Sequence, residues 1–385
     1  MVRPLWVYFV MTVLLVCLLD VRRVAAMSLE VTPLVTARVI FNDNIFTASD
    51  PASDLEMVLS PTLTVRLSYP RGETRFSYGF DYRELLRHDE VGIGVSHGVH
   101  FDSALDLSPR LRVSFVSDNA FVSDTRAFYS QGLGSRIVSA FIPRAGLLVE
   151  TADADIGLAY EVTPVSALQA NLSRAELEYS APGLLDLDTD AGSLRYLFTV
   201  TPIDAWGVAY TFSRSKGVGF LSEVQGLTLS YTASLRPTST LGMGGGGNLL
   251  IKDGRVYASY SVSIEEALRR GSLAFSSSRS LGAAGGEAAV DVLLDHYTIR
   301  GGYYFTENIE GSVVESYRVS RAITGAPARV IIAVTAASLV YRFAADVLFS
   351  LSVDHTENRT VEGAGVSFRI NHIIAVVTWE GPTWR

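Results

Sequence analysis

Glu73-Thr74-Arg75-Phe76-Ser77-Tyr78-Gly79-Phe80-Asp81-Tyr82-Arg83 reads as a single amphipathic β-strand. Successive side chains of a strand point to opposite sides. Thr74, Phe76, Tyr78, Phe80 and Tyr82 therefore share one face, and Glu73, Arg75, Ser77, Gly79, Asp81 and Arg83 share the other. On a helix the same rings would be scattered around the axis. One face of this strand is made for an apolar surrounding and the other for water.

The same period of two recurs along the chain. Leu63, Val65, Leu67 and Tyr69 alternate with Thr62, Thr64, Arg66 and Ser68. Leu194, Tyr196, Phe198 and Val200 alternate with Ser193, Arg195, Leu197 and Thr199, and Val347, Phe349, Leu351 and Val353 with Leu348, Ser350, Ser352 and Asp354. A soluble β-sandwich also alternates, with its apolar face inward. Three features favour a membrane. The segments run to about ten residues, as tilted spanning strands do. Tyrosine and phenylalanine recur near strand ends, as in an interfacial belt. Charges stand at mid-strand on the polar face, which suits a watery lumen.

Composition agrees. The chain has 385 residues, 48% hydrophobic and 19% charged, with a mean hydropathy of +0.25. No stretch after residue 26 approaches the roughly 18 consecutive apolar residues of a membrane helix. Residues 1–26 read as a cleaved secretory signal: Arg3, then the apolar run Val7–Leu19, then Val24-Ala25-Ala26 before Met27. Taking the net +2 of Arg3, Arg22, Arg23 and Asp20 from the chain's −8 leaves −10 for residues 27–385. That balance argues against a nucleic-acid partner, which selects a basic footprint. The one cysteine, Cys17, lies in the signal, so the remainder has no disulfide and no thiolate site.

Turn signals divide the chain. Short turns are expected at 69–72, 108–110, 163–164, 201–202, 236–237, 264–266, 306–308 and 344–346, many with a proline that pre-sets the turn dihedral. Between them lie longer polar connections near 42–56, 85–96, 119–153, 179–190, 214–223, 280–288, 321–328 and 355–361, and a tight turn at Lys252-Asp253-Gly254. Short turns on the periplasmic side and long loops outside are the habit of outer-membrane barrels. An opening strand at 34–41, eight hairpins and a closing strand near 361–370 give 18 strands, with 16 or 20 left open. The expected fold is an all-β, transmembrane, antiparallel up-and-down β-barrel over 27–370 in the outer membrane of a Gram-negative cell. Residues 371–385 are expected to form a C-terminal tail or an extra strand.

Phe41-Asn42-Asp43-Asn44-Ile45-Phe46, then Asp54, then Ser60-Pro61-Thr62-Leu63 resembles the opening of the β-barrel porin family found in exopolysaccharide and exosortase gene clusters. The resemblance implies an outer-membrane barrel that serves as a conduit for exopolysaccharide, with periplasmic export components as partners. The family pattern ends on an aromatic residue of the last strand, here Phe368, whereas this chain continues to Arg385.

Motifs for chemistry are weak. Gly94-Val95-Ser96-His97-Gly98 spells a nucleophile elbow, but that motif works between a strand and a helix, and no helix follows. His88-Asp89 offers an acid–base pair in a loop, with no second carboxylate pair that the sequence can place beside it. Asp186-Leu187-Asp188-Thr189-Asp190-Ala191-Gly192 begins like a calcium loop but puts glycine one place late and Leu197 where the last carboxylate belongs. Gly244–Gly247 lacks the Lys-Ser/Thr of a phosphate loop. No catalytic residue, metal or cofactor is implied.

The inward charges say more. Alternation assigns Arg66, Arg75, Asp81, Arg83, Asp102, Arg112, Arg195, Arg300, Arg318, Arg342 and Arg369 to the lumen, with Glu73, Asp106, Asp155, Glu161 and Glu310. Such mixed linings set selectivity. The expected function is a channel, and its partners are outer-membrane lipids and a polysaccharide whose carboxylates meet arginine and whose rings slide over Tyr257 and Tyr304. The alternatives are a structural or adhesive barrel with an occluded lumen and, more distantly, an outer-membrane hydrolase.

Overall fold

A computed structural model describes residues 27–44, 51–87, 94–122, 149–179, 186–284, 290–324, 328–362 and 367–384. Its elements are β1 (Ser28–Asn42), β2 (Asp54–Tyr69), β3 (Gly72–Leu85), β4 (Gly94–Ser108), β5 (Leu111–Val122), β6 (Val149–Thr163), β7 (Ser166–Tyr179), β8 (Leu187–Thr201) and β9 (Asp204–Gly217). They continue as β10 (Phe220–Arg236), β11 (Ser239–Leu250), β12 (Arg255–Leu268), β13 (Gly271–Ala284), β14 (Val290–Thr306), β15 (Ile309–Ala322), β16 (Arg329–Ala344), β17 (Val347–Glu362) and β18 (Phe368–Glu380). Each pairs antiparallel with the next, and β18 pairs with β1 from Leu34–Glu380 to Asn42–His372. The 18-stranded sheet is therefore closed, which leaves no edge with unpaired backbone groups in the lipid.

Register fixes the faces. Residues directly opposite in a ladder share a face, so the parity of one strand passes to its neighbours. Starting from Phe76, Tyr78, Phe80 and Tyr82, the pairs Phe76–Phe101, Phe115–Ile156, Ile156–Leu172, Leu194–Tyr210 and Tyr210–Leu227 carry one apolar face from strand to strand. Tyr78, Ile156, Leu172, Tyr210 and Leu227 are exposed there. In water such a surface would be an aggregation site, and in a bilayer it is the lipid face. Near the short turns this face carries packed rings: Trp206 against Tyr231, Tyr303 against Phe305 and Tyr341 against Phe343. That is the aromatic girdle of one membrane interface.

Most of the expected turns form where proline or glycine marks them, and four expectations are corrected. Ile264-Glu265-Glu266 is not a corner. Ile264 pairs with both Leu241 and Phe275, the two glutamates point to opposite faces, and the chain reverses at 269–270. The connection expected at 214–223 shrinks to a tight turn between Gly217 and Phe220, because Gly219 adopts a positive φ of 70°. Residues 355–361 extend β17.

The fourth correction concerns the closing strand, which is Phe368–Glu380 and not 361–370, so 371–380 is wall and not tail. The ladder with β1 stops beside Pro33, which has no N–H to give. Gly381 N then donates to Pro33 O at 2.8 Å, and Val31 and Trp384 form a last bridge. Of the longest expected loop, 119–122 belong to β5 and 149–153 to β6; residues 123–148, like the signal segment 1–26 and His88-Asp89, lie outside the described residues.

Candidate functional site: the barrel interior

The face opposite the lipid face encloses a cavity. A volume of about 620 Å³ is bordered by Ser114, Asp118, Asp153 and Asp155 on one side and by Ser280, Gly282, Leu294 and Ser320 on the other. These residues come from β5–β6 and from β13–β15, far apart in the ring, so they face each other across the lumen.

The wall formed by β17, β18 and β1–β4 is dense with paired charges. Arg66 donates to Glu73 at 2.5 Å, and Glu73 also faces Arg75 at 3.5 Å. Arg75 reaches Asp102 at 4.0 Å. His100 bridges Asp102 and Asp118, at 3.2 and 2.6 Å. Higher in the wall Arg38 binds Asp81 at 3.2 Å and also Ser60 at 2.8 Å. Arg83 binds Glu56 at 3.3 Å with side chains only 8% and 3% exposed. His372 meets Asp354 at 2.7 Å. Alternation named Arg66, Arg75, Asp81, Arg83 and Asp102 as lumen-facing, and the ladders set all five on the inner face. It missed Arg38, Glu56 and the histidines, since partners across strands follow register and are not visible in one strand's pattern.

Elsewhere the predicted residues are more dispersed. Arg112 lies near the short-turn rim, 4.0 Å from Asp106. Arg195 donates to Ser230 at 3.2 Å. Arg318 stands opposite His296, and Arg300 follows on the same face of β14. His296 Nε2 lies 3.0 Å from Ser316 Oγ and 3.1 Å from Thr298 Oγ1. Arg342 is inward at the short-turn end of β16. Asp155 is inward beside Asn171, and Glu161 and Glu310 are inward near the same rim.

Arg369 is a correction. It shares its face with Ile373, Val377 and Trp379, which are exposed to the lipid side, and pairs there with Glu357 at 3.1 Å. Its neighbours Phe368 and Ile370 take the inner face and are buried. The closing strand is displaced from its expected place, and with it the reading of which face this arginine occupies.

Between Arg195 and His296 the inner wall is nearly free of charge. β10 presents Thr228, Ser230 and Thr232, β11 presents Gly242, Gly244 and Gly246, and β12 presents Ser259, Ser261 and Ser263. Alternate glycines of the run therefore face the lumen, while Gly245 and Gly247 face outward beside Leu229 and Leu227. At the long-connection end the inner face turns apolar. Val149, Leu177 and Leu187 pack with Tyr179 and Phe220, and Val224, Leu250 and Leu281 pack with Tyr257 and Ile323. Leu250 is fully buried. Tyr257 therefore belongs to an apolar cluster at the mouth, while Tyr304 is an exposed inner ring opposite Glu310. Apolar inner residues at strand ends look like lapses of alternation in the sequence, which is why this collar went unread.

Among solved structures, the chain resembles OccAB2 of Acinetobacter baumannii, with a TM-score of 0.52 at 8% identity, covering 92% of this chain and 98% of that one. OpdK of Pseudomonas aeruginosa, solved with vanillate, gives 0.50 at 10% identity over 93% and 99% of the two chains. OccK2 of the same organism, in complex with glucuronate, gives 0.50 at 12% identity over 91% and 98%. No family model and no curated protein matches the chain. At such identities the likeness concerns the fold: a closed antiparallel 18-strand barrel of outer-membrane porin type. Together with the apolar outer face, it places the protein in an outer membrane.

Proposed function

We propose that this barrel is a passive outer-membrane channel for small hydrophilic solutes, with outer-membrane lipids around it and residues 1–26 as its export signal. One observation carries the reading: a closed ring whose inner positions hold ion pairs and hydroxyls around a cavity lined by polar and apolar side chains alike, while its outer positions are apolar. A purely structural barrel gains nothing from charges facing inward, since each costs desolvation unless water or a partner meets it. The apolar clusters at the long-connection end put hydrophobic side chains on the inner face there, which favours small solutes over long hydrophilic polymers.

Single-channel recording of refolded 27–385 in a planar bilayer tests this. Steady ohmic conductance is the expected result, and a folded but silent barrel would move the assignment to a structural or adhesive role. A second reading, a conduit for exopolysaccharide working with periplasmic export components, is favoured by the Phe41–Leu63 resemblance and the hydroxyl wall. Block of the current by an acidic polysaccharide, at concentrations where dextran of equal size has no effect, would support it.

A further inference from the structure

Glu315 is a charge on the lipid face. The odd positions of β15 point outward, and Val313 and Tyr317, on either side of Glu315, are both exposed there. Glu315 is itself exposed and lies opposite Ile299 on β14 and Thr335 on β16. Gly311, further toward the short turn on the same face, pairs with Tyr303 of the aromatic girdle. At ~3.3 Å per residue and a tilt of ~40°, Glu315 stands about 10 Å from that girdle, inside the apolar band. Among the described residues it has no ion pair and no hydrogen bond. By contrast, Arg279 and Arg369 on the outer face are joined to Asp295 at 2.6 Å and to Glu357 at 3.1 Å. An ionisable side chain within the apolar band calls for a polar partner.

A matching group lies on the same face, on the far side of β16. Thr335 pairs with His355 of β17, so Glu315, Thr335 and His355 form one row across three strands. His355 Nδ1 is 2.6 Å from Asn371 Oδ1. Asn371 turns its Nδ2 to Asp43, so its Oδ1 accepts and the imidazole proton sits on Nδ1. Nε2 is left as an acceptor with no partner among the described residues. Within one barrel the width of two strand spacings, about 10 Å, separates the Glu315 and His355 backbones. Between them β16 presents Ala333, Thr335 and Ala337 outward, so no bulky side chain holds a second barrel away.

We infer that the outer face of β15–β17 is a two-fold docking surface for a second copy of this chain, with Glu315 of each copy meeting the partner's His355. An isologous interface must be self-complementary, and this row is so: an axis along the membrane normal beside Thr335 exchanges its two ends. The row runs perpendicular to the tilted strands, so its ends differ by about 6 Å in height, which a glutamate and a histidine reaching toward each other can span. A carboxylate and an imidazole hold one proton between them, so each contact is neutral overall and takes an unpaired polar group out of the lipid. Arg321, Arg329 and Arg359 stand toward the long-connection ends of β15, β16 and β17, at headgroup level, where water and lipid headgroups meet them in one copy or in two. Such a dimer forms whether or not each barrel conducts.

The test uses refolded 27–385 in phosphatidylcholine vesicles at a large excess of lipid. The chain has no cysteine beyond Cys17, so Thr335→Cys supplies a single thiol at the axis. On oxidation it should run mostly at twice the monomer mass, while Leu194→Cys, exposed on the outer face of β8, should stay monomeric. Equal cross-linking at the two positions, or none at Thr335→Cys, overturns the inference. Energy transfer between fluorescently labelled barrels then measures affinity. Glu315→Leu and His355→Leu should each weaken association roughly tenfold or more, with the heat-modifiable folded band retained. A mixture of the two variants keeps one reciprocal contact that neither has alone. It should therefore associate more tightly than either variant by itself, which a general change in packing would not produce. Undiminished association in both variants, or a mixture no tighter than its components, overturns the inference. So does a wild-type barrel that stays monomeric, even if another polypeptide occupies this face.

Discussion

Asp43 holds Asn371 from the far end of the chain: Asn371 N donates to Oδ1 at 2.7 Å and Nδ2 to Oδ2 at 2.5 Å, while Asp43 N donates back to Asn371 O at 3.2 Å. Asn44 adds Nδ2 to Arg369 O at 2.9 Å and is itself turned by Asn42 Oδ1 at 2.8 Å. Asp54 accepts from Leu55 N and Arg87 N. The Asn42-Asp43-Asn44 segment and Asp54, which carry the family resemblance, thus fasten β18, β1, β2 and the end of β3 at the outer rim. Asp43→Ala removes a charge-assisted clasp at an exposed site and should cost about 1 kcal/mol. The expected readout is a lower temperature for loss of the heat-modifiable band, with Asp43→Asn intermediate. An unchanged transition would show the clasp to be idle.

Two inner ion pairs should respond very differently to mutation. Glu56→Gln takes one carboxylate partner from Arg83, whose side chain is only 8% exposed, and should cost about 1–3 kcal/mol. Glu73→Gln frees an arginine that is 43% exposed, where the cost is about 0–1 kcal/mol. Urea titration of the refolded barrel should separate the two variants clearly. Replacing both Glu56 and Arg83 with leucine should recover much of the loss.

The glycine-rich strand β11 makes a sharper prediction about space. A Cβ on Gly246 would lie 2.0 Å from the carbonyl oxygen of Leu227, whereas one on Gly245 would meet nothing within 4 Å. Gly246→Ala should reduce the yield of folded barrel while Gly245→Ala should not. Equal yields would mean that β10 and β11 are not held this close.

The apolar collar should govern conductance. Leu250→Ser opens the Val224–Leu250–Leu281 cluster and removes a hydrophobic constriction, which in pores resists wetting. Single-channel conductance should rise, whereas Ser261→Ala, on the smooth wall below, should leave it near the wild-type value. A conductance unaltered by Leu250→Ser would rule out the collar as the narrow point.

Much of this architecture could be read directly from the residues. Glu73–Arg83 alternates so strictly that the assignment of Arg75, Asp81 and Arg83 to the lumen needed only the pleat of one strand. Arg369 could not be placed that way, because its face depends on where the closing strand begins, and no turn residue marks that start. Glu265-Glu266 imitated a turn because two adjacent charges in a strand look like loop, although one faces the lumen and the other reaches Thr238 Oγ1 at 2.9 Å on the outer side. The opposition of Asp118 to Ser320 across the lumen was beyond any local pattern. It arises from strand number and closure, so it exists only once the ring does.

Closure has a further consequence for how the chain may be cut. Every pairing except β1 with β18 joins strands that are adjacent in sequence, so only the Leu34–Glu380 seam spans the whole length. Loop-closure entropy grows only logarithmically, about 0.6 kcal/mol per doubling. Lengthening from a hairpin loop of about 5–10 residues to the stretch between Asn42 and His372 is about five to six doublings, or about 3 kcal/mol, small beside a ladder of many hydrogen bonds. The ends meet at the short-turn rim, where Val31 and Trp384 are bridged. A circular permutant joined there and opened at another connection would keep every strand pairing. The order in which strands are synthesised is therefore a matter of kinetics and assembly, not of the final ring.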